Sequence, residues 1–594
     1  MRRLMIPLLL LLPAVFAQCP PYIQAPCSCS STRYEVVSIV CDKGDSMASA
    51  LLAIGSSGVS IDSLVISSTP IDTIPPYAFQ GFNIKKLALR NNGLRAIHED
   101  AFKGNLEDML EELEIRGNYL DTIPQEGITK LKSLKALSLS DNMIEYVPDT
   151  SFLSFYSRQS IQRLDLSSNN MTAIHPTGLL GLESLTQLSL DKNLFQTIPT
   201  EALANVPTLE DLSMGVNLLS SVPPESLPLP NLKSLSLEVN QIRSIPADAL
   251  QTTPSLTYLY LGNNLLTSLD AATFFYVNNL KVLSMGSNKD ITSISANSLQ
   301  NLPQLVRIEL SDCSIASVEA GAFRKAGKLQ VISLARNHIT HVPNDVFSNL
   351  PNVANIDLSG NSITHIADFS FSQLANLNSL DLSSNRLESL PTNSLYESLL
   401  PKGPNHQRSL LLQNNPWRCD SDLAWLRKWL RENGDVVITS MGGQNTKCWS
   451  PANLNGFDLR QTDPANTRAE VAKIGEQMRR LIQTSPNVMP QGPPRENIAV
   501  MENPPISGVN IVLIIMACIL GILVVCAVVL VGIRYFSKRY DSKENGSNIS
   551  YPSVSSGFGG ANSAYSGANI LPPRSSRSAT NHNVYLNRPR YWWF

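Results

Sequence analysis

The chain has 594 residues, 43% of them hydrophobic, and carries 47 Lys and Arg against 49 Asp and Glu. This near balance leaves no basic excess for a polyphosphate, and we expect no nucleic-acid partner. The sequence has no nucleophile elbow, phosphate loop or metal-ligand helix motif, so we expect no enzymatic activity, no cofactor and no metal site.

Residues 1–17 have the composition of a secretory signal peptide. Arg2 and Arg3 precede a run of leucines, and Val15 and Ala17 are the small residues expected just before a cleavage site. The apolar run is too short for a membrane anchor. We therefore predict cleavage near Ala17 and export into an oxidising compartment, where disulfide bonds persist.

Residues 18–58 contain four cysteines with the spacing C-x7-C-x-C-x11-C: Cys19, Cys27, Cys29 and Cys41. Four cysteines allow three pairings, and the spacing alone selects none of them. We predict a disulfide-bonded segment ahead of the repetitive part of the chain.

Residues 59–415 repeat one frame, L-x-x-L-x-L-x-x-N-x-L, mostly at intervals of 24 residues. A shortened fifteenth copy ends at Asn415, and fourteen full copies start at Ile61, Ile84, Leu110, Leu134, Ile161, Leu185, Leu209, Leu232, Leu256, Leu280, Leu305, Leu329, Val353 and Leu377. Such self-similarity predicts a solenoid of leucine-rich repeats, because no single repeat can bury its apolar face alone. The expected fold is an α/β solenoid, a horseshoe with a parallel concave sheet.

Each frame predicts one short strand, because L-x-L alternates core and exposed positions. The asparagine then turns the chain, since its amide can satisfy backbone groups that no neighbouring strand reaches. Thr69 and Cys313 replace it in the first and eleventh frames. We interpret Cys313 as a buried structural residue.

The chain after the repeats changes composition in steps. The motif N-P-W-R-C-D-S starts at Asn415 and leads into residues 416–450, which also contain an amphipathic stretch. Residues 451–510 are rich in proline and predict a stalk. Residues 511–533 form an uncharged apolar run of 23 residues, which as a helix spans about 34 Å, enough for a bilayer core of about 30 Å.

Basic residues directly after this run place the following segment in the cytosol. We therefore predict a single-pass type I protein of the plasma membrane, with its N-terminus extracellular. Ala517 and Gly521 have a small-x-x-x-small spacing that allows a homodimer, although this spacing is common by chance in apolar runs.

Residues 534–594 predict a disordered cytoplasmic tail, too short for a kinase or a Toll-type signalling domain. Tyr551 begins a sequence similar to endocytic signals, and Tyr585 begins one similar to SH2 ligands. The C-terminal Trp592, Trp593 and Phe594 could add a strand to a PDZ domain. Plain disordered tail remains the alternative for each motif.

These segments together resemble the transmembrane members of the extracellular leucine-rich-repeat-only family, most strongly over residues 19–450. The N-terminal cap of that family pairs its first cysteine with its third and its second with its fourth, which implies Cys19 with Cys29 and Cys27 with Cys41. The C-terminal cap of the family has a second cysteine where this chain has Ser421, and a later partner is also missing. That departure leaves Cys419 and Cys448 as the implied bridge of residues 416–450.

The resemblance implies a non-enzymatic cell-surface protein that binds an extracellular-matrix or cell-surface protein, in adhesion or matrix organisation. A signalling or innate-recognition co-receptor with a kinase-bearing partner is one alternative. An auxiliary subunit of a membrane channel or transporter is another.

The candidate ligand-binding residues lie around the ninth repeat, where Tyr258 and Tyr260 take outward strand positions. We expect Val216 and Val239 to flank them on one side and Val282 on the other, which predicts an exposed aromatic and apolar patch of the kind enriched at binding hot spots. The alternative is that Tyr and Val simply favour strands. Asn170 heads an N-x-Thr sequence and is a predicted glycosylation site.

Overall fold

The computed structural model describes residues 19–461, except residues 21, 32–36, 56–59, 396–397, 400–406, 439–442 and 444. The predicted signal peptide, most of the predicted stalk, the apolar run 511–533 and the tail 534–594 lie outside the described residues. Within the described part, no helix is both long enough and apolar enough to cross a bilayer.

One sheet of 17 strands runs through the described residues. Each repeat adds one strand parallel to that of its neighbour, as the alternating frame predicts, and only the first pair of strands is antiparallel. The strands are Cys27–Ser31, Val37–Asp42, Ser60–Ser67, Asn83–Arg90, Glu112–Arg116, Ala136–Ser138, Arg163–Asp165, Gln187–Ser189, Asp211–Ser213, Ser234–Ser236, Tyr258–Tyr260, Val282–Ser284, Arg307–Glu309, Val331–Ser333, Asn355–Asp357, Ser379–Asp381 and Ser409–Leu411.

Turns make up most of the chain between these strands. Four small parallel sheets join Thr73–Ile74 with Ala96–Ile97, Tyr146–Val147 with Ala173–Ile174, Ser293–Ile294 with Ser317–Val318, and His341–Val342 with His365–Ile366. The α-helices are Met47–Ile54, Asn105–Met109, Gln125–Ile128, Thr200–Leu203 and Ala424–Glu432, and the 3-10 helices are Ala271–Phe274 and Ala452–Leu454. The α/β expectation is therefore corrected to a parallel β-solenoid, because a repeat of about 24 residues leaves little chain for a long helix after its strand and turn.

The core is a continuous stack of apolar side chains under the sheet. Frame leucines form one wall, and a phenylalanine column closes the opposite side in several repeats. Phe323, Phe347 and Phe371 are buried and stacked, with ring centroids 5.7 and 5.5 Å apart. Each ring thus packs on the next repeat, so burial in one repeat depends on its neighbours.

The frame asparagines form a buried ladder that satisfies the turns. Asn240 accepts a hydrogen bond from the Leu219 N–H of the preceding repeat at 3.0 Å. Its amide nitrogen donates to Met214 O at 3.0 Å and to Leu237 O at 3.1 Å. The same pattern recurs at Asn193, Asn217, Asn264, Asn337, Asn361 and Asn385. The predicted role of the asparagine is confirmed.

Cys313 replaces this asparagine in a repeat where the backbone N–H that the asparagine would accept from is already hydrogen-bonded within the preceding turn. The Ile291 N–H, which would face Cys313, donates instead to Asn288 O within its own turn. The thiol is buried 3.5 Å from Met285 O, and burial raises its pKa to about 11. Cys313 therefore stays protonated and inert at neutral pH, as its frame position predicts.

Disulfide bonds lie at both ends of the repeats. Cys19 pairs with Cys29 and Cys27 with Cys41, and Cys419 pairs with Cys448, the pairings that the family resemblance implies. Beside the last bridge, buried Arg427 donates to Cys419 O at 3.0 Å. Residues 451–461, assigned by sequence to the stalk, pack here with Leu454 and Leu459 buried.

Asn240→Ala should lower the free energy of unfolding by about 1 to 3 kcal/mol, because it leaves the buried Leu219 N–H without its acceptor. Met214 O and Leu237 O each lose one of two donors and keep the amide of Asn217 or Asn264. Denaturant unfolding of the full chain measures this loss. Asn297→Ala, at an exposed asparagine outside the ladder, is the matched control and should change the value by less than about 0.5 kcal/mol. Equal losses in the two variants would contradict the ladder's role.

Candidate binding face

The solvent side of the large sheet, here called the open sheet face, consists of the third, fifth and seventh side chains of each frame. The fourth and sixth positions are the buried leucines, so these three positions point away from the core. This is the face predicted to be concave. Because adjacent parallel strands lie about 4.8 Å apart, equivalent positions form columns that cross the repeats.

Charges at the N-terminal end of the open sheet face neutralise one another. Arg90 holds the buried Glu114 through two hydrogen bonds of 2.7 and 2.6 Å. Glu112 lies 3.1 Å from Lys86 and 2.9 Å from Arg163. The pKa of Arg90 is raised by its hydrogen bond to Glu114. This part of the face is a structural network of ion pairs.

Tyr258 and Tyr260 stand at the centre of the open sheet face. Tyr258 lies between Ser234 and Val282 of the neighbouring strands, and Tyr260 lies between two serines, Ser236 and Ser284. Tyr258 is 38% exposed, and Tyr260 is half-buried. Small neighbours leave both rings accessible from solvent, on a rigid strand.

Carboxylates lie on both sides of the tyrosines, next to glycines in adjacent strands. The Glu238 Oε1 atom lies 3.4 Å from where a Cβ of Gly262 would stand, and the Glu309 Cγ atom lies 3.8 Å from the same place on Gly286. Both distances are those of ordinary van der Waals contact. The nearest atoms are backbone oxygens of the next repeat, Gly286 O at 3.3 Å from the Gly262 position and Ser311 O at 3.0 Å from the Gly286 position. The missing side chains therefore mainly accommodate the backbone of the next repeat.

Acidic residues dominate the open sheet face from the sixth repeat to the fourteenth. Arg307 is the only base in these columns of the described residues, and the acids are Asp191, Asp211, Glu238, Glu309, Asp357 and Asp381. Burial raises the pKa values of Asp211 and Asp381, and nearby carboxylates add to both shifts. The candidate residues predicted from the sequence do not include these acids, although the third, fifth and seventh frame positions, taken as columns across the repeats, identify them.

Val216 and Val239 do not lie beside the tyrosines on the sheet. Both stand in the turn after a strand, at the eighth frame position, with φ of 55° and 56°. The expectation that they flank the tyrosines is corrected: serines take those places, and only Val282 shares the face with Tyr258. The valines are 44% and 40% exposed.

The turn forces this left-handed backbone at every repeat. Val216 N–H donates to Glu238 O at 2.8 Å, and Val239 N–H donates to Gly262 O at 2.9 Å, so each turn is tied to the next. Other repeats place Asn, Asp, Ser, Gly, Lys or Arg at this position. A β-branched residue is poorly suited to positive φ, and the two valines therefore store strain while exposing apolar surface.

Asn170, the predicted glycosylation site, is exposed beside the turn, at the tenth frame position and off the open sheet face. Tyr551 and Tyr585 lie outside the described residues.

Val216→Asn and Val239→Asn should each raise the free energy of unfolding by about 1 kcal/mol, because asparagine tolerates the left-handed region. Lys192→Asn, at the same turn position but without a β-branch, is the control and should give a smaller gain. Thermal unfolding of the full chain compares the three variants. A loss of stability in both valine variants would show that the turn does not strain them.

Family comparisons agree with this architecture. The family model described as leucine rich repeat matches residues 153–195, 183–242, 207–266, 254–315, 304–363 and 351–400. A second model, the BspA type leucine rich repeat region, matches residues 56–154. Together the two leucine-rich-repeat models cover residues 56–400, more than half of the chain.

The chain is similar over short stretches to several curated proteins. It is 38% identical to Tsukushi of Xenopus tropicalis over 88 residues, which are 15% of this chain and 24% of that protein. It is 35% identical to human chondroadherin over 78 residues, 13% of this chain and 18% of that protein. The chain thus spans about a quarter or less of the length of these relatives.

Among solved structures, the crystal structure of a TLR13–ssRNA13 complex has the same fold. It aligns with a TM-score of 0.58 at 19% identity and covers 72% of this chain and 64% of that one. At this identity the likeness concerns the fold alone. With its repeated frame, parallel sheet and matching repeat models, the chain is a leucine-rich-repeat protein.

Proposed function

We propose that this protein is a non-enzymatic cell-surface binding protein, and that its open sheet face holds an extracellular-matrix or cell-surface protein in adhesion or matrix organisation. The observation that carries the proposal is the tyrosine pair, Tyr258 and Tyr260, set among small residues at the centre of that face. Tyrosine brings a large contact area at a low cost in conformational entropy, which is why it is enriched at binding hot spots.

The rigidity of this surface supports the proposal. The tyrosines stand on a strand hydrogen-bonded on both sides, and Leu259 between them is fully buried. A ligand therefore meets a preformed surface and spends little free energy on ordering it. Val282 extends the apolar contact on the same face, and Val216 and Val239 extend the apolar surface into the turns, where a partner wider than the sheet would touch them.

Electrostatics favour a protein over a polyanion as the ligand. The six carboxylates of the open sheet face outnumber its single guanidinium from the sixth repeat onward, so a phosphate backbone would be repelled. We keep nucleic acid outside the proposed ligands for this reason.

Membrane attachment completes the proposal. Residues 1–17 would direct export, the uncharged run 511–533 would span the plasma membrane once, and residues 534–594 would stay in the cytosol. A glycan on Asn170 would lie at the side of the repeats and leave the tyrosines open. The cytosolic motifs at Tyr551 and Tyr585 would serve adaptors only if the protein also signals.

Tyr258→Ala with Tyr260→Ala should reduce partner binding at least tenfold, because truncating a hot-spot aromatic costs about 2 kcal/mol or more. Cells displaying the full chain, with a peroxidase fused after the signal peptide, would label neighbouring proteins. The labelled proteins are then tested for direct binding to the same cells.

Tyr146→Ala is the matched control, since Tyr146 is 40% exposed but belongs to a small sheet away from the open sheet face. It should leave binding unchanged. The proposal fails if the double tyrosine variant binds as well as the unsubstituted chain, or if no matrix or cell-surface protein is bound.

A further inference from the structure

Two carboxylates stand directly opposite each other near the C-terminal end of the open sheet face. Asp357 and Asp381 pair in register on adjacent strands, so their backbones are about 4.8 Å apart and their side chains lie on the same face. Like charges in this arrangement repel and lower stability.

The described residues place no cation in contact with either carboxylate. The pKa of the Arg336 guanidinium is raised by its hydrogen bond to Asp312 and further by the charge of Asp357, but Arg336 is ion-paired with Asp312 at 2.6 Å. Ser359 donates to Asp357 Oδ1 from its N–H at 2.9 Å and its hydroxyl at 2.7 Å, and the Ser383 N–H donates to Asp381 Oδ1 at 2.8 Å. No Lys, Arg or His among these residues forms an ion pair with either carboxylate. This contrasts with the N-terminal end of the face, where Glu112 and Glu114 are both paired.

The surroundings increase the free-energy cost of ionising this pair. Burial raises the pKa of Asp381, and the charge of Asp357 raises it further. Ionisation of Asp381 therefore costs stability above its folded-state pKa, and this cost disappears as the pH falls below its unfolded value. The pair therefore brings the fold an electrostatic penalty that no ion pair within the described residues relieves.

A third acceptor lies just after the next strand, Ser409–Leu411. Gln413 occupies the seventh frame position there, as Ser383 does beside Asp381, and it is 6% exposed. Its side-chain oxygen is buried and accepts no hydrogen bond within the described residues. A buried acceptor without a donor costs about 1 to 3 kcal/mol, so this end of the face lacks hydrogen-bond donors as well as positive charge.

We propose that Asp357 and Asp381 bind a basic side chain, Arg or Lys, of the protein partner, with Gln413 beside them as a further acceptor. The inference rests on the proposed function and deepens it, because it assigns the partner a charge. Guanidinium and ammonium groups are donors without acceptors, and they would supply both the missing charge and the missing N–H groups.

The spacing of the strands sets the distance between the two contacts that the partner must make. Four strand steps separate Tyr260 from Asp357 and five separate it from Asp381, which is about 19 to 24 Å along the sheet. The partner thus carries a contact for the tyrosines and a basic group about 20 Å away. Glu309, between the two places, adds negative charge along the path.

The test uses the full chain in detergent with nona-arginine and nona-lysine as probes, at about 50 and 300 mM salt. Asp357→Ala with Asp381→Ala should weaken binding of both peptides at least tenfold at low salt. Alanine is used because asparagine at either position would create an N-x-Ser glycosylation sequence. The double variant should unfold at or above the temperature of the unsubstituted chain at neutral pH, which excludes misfolding as the cause.

Glu201→Ala with Asp248→Ala removes the same number of exposed charges outside the open sheet face and is the matched control. It should change peptide binding less than twofold. Equal weakening by both pairs, or no weakening by the aspartate pair, would overturn the inference. Binding of the partner identified by peroxidase labelling distinguishes the two proposals. If only the tyrosine variant loses binding, the basic contact alone is overturned. If only the aspartate variant loses binding, the tyrosine contact alone is overturned.

Discussion

Each turn of this solenoid is completed by the repeat that follows it. A buried asparagine such as Asn240 supplies hydrogen bonds to the preceding repeat, and the backbone N–H after each strand reaches a carbonyl of the next repeat. Backbone groups inside a protein must find partners, and here most of those partners lie about 24 residues away. The repeats are therefore stable as a stack, and the surface they display is as rigid as the ladder beneath it.

The same constraint sets which residues are free to serve a ligand. The leucines, the asparagine and the left-handed turn position are fixed by the fold, whereas the third, fifth and seventh frame positions need only suit a strand. Serine at Ser236 and Ser284 satisfies that need at little cost. Tyr258 and Tyr260 also suit a strand, but they place aromatic surface on the solvent side that adds nothing to the core. Asp357 and Asp381 are poor strand residues, and as opposed carboxylates they repel each other. These positions are where the molecule departs from what its fold requires.

The sequence predicted the part of the structure that periodicity controls. The strand of each repeat, the buried asparagine ladder and the exception at Cys313 all follow from the frame, because the spacing of leucines decides which side chains reach the core. The helical content was overestimated, since the segments between strands mostly form turns rather than helices. The frame alone does not show that Val216 and Val239 leave the sheet, because their eighth position lies in the left-handed turn after the strand. Parallel register places Ser234 and Ser236 beside the tyrosines instead.

Site-specific photo-crosslinking tests most directly whether a partner contacts the open sheet face at the tyrosine pair. A photoreactive amino acid in place of Ser284, the neighbour of Tyr260, would be compared with the same amino acid in place of the exposed Asp248, in the full chain on living cells. We expect a crosslink to a matrix or cell-surface protein from position 284 and none from position 248. Crosslinks from position 248 alone would show that the partner binds elsewhere and not at the tyrosine pair.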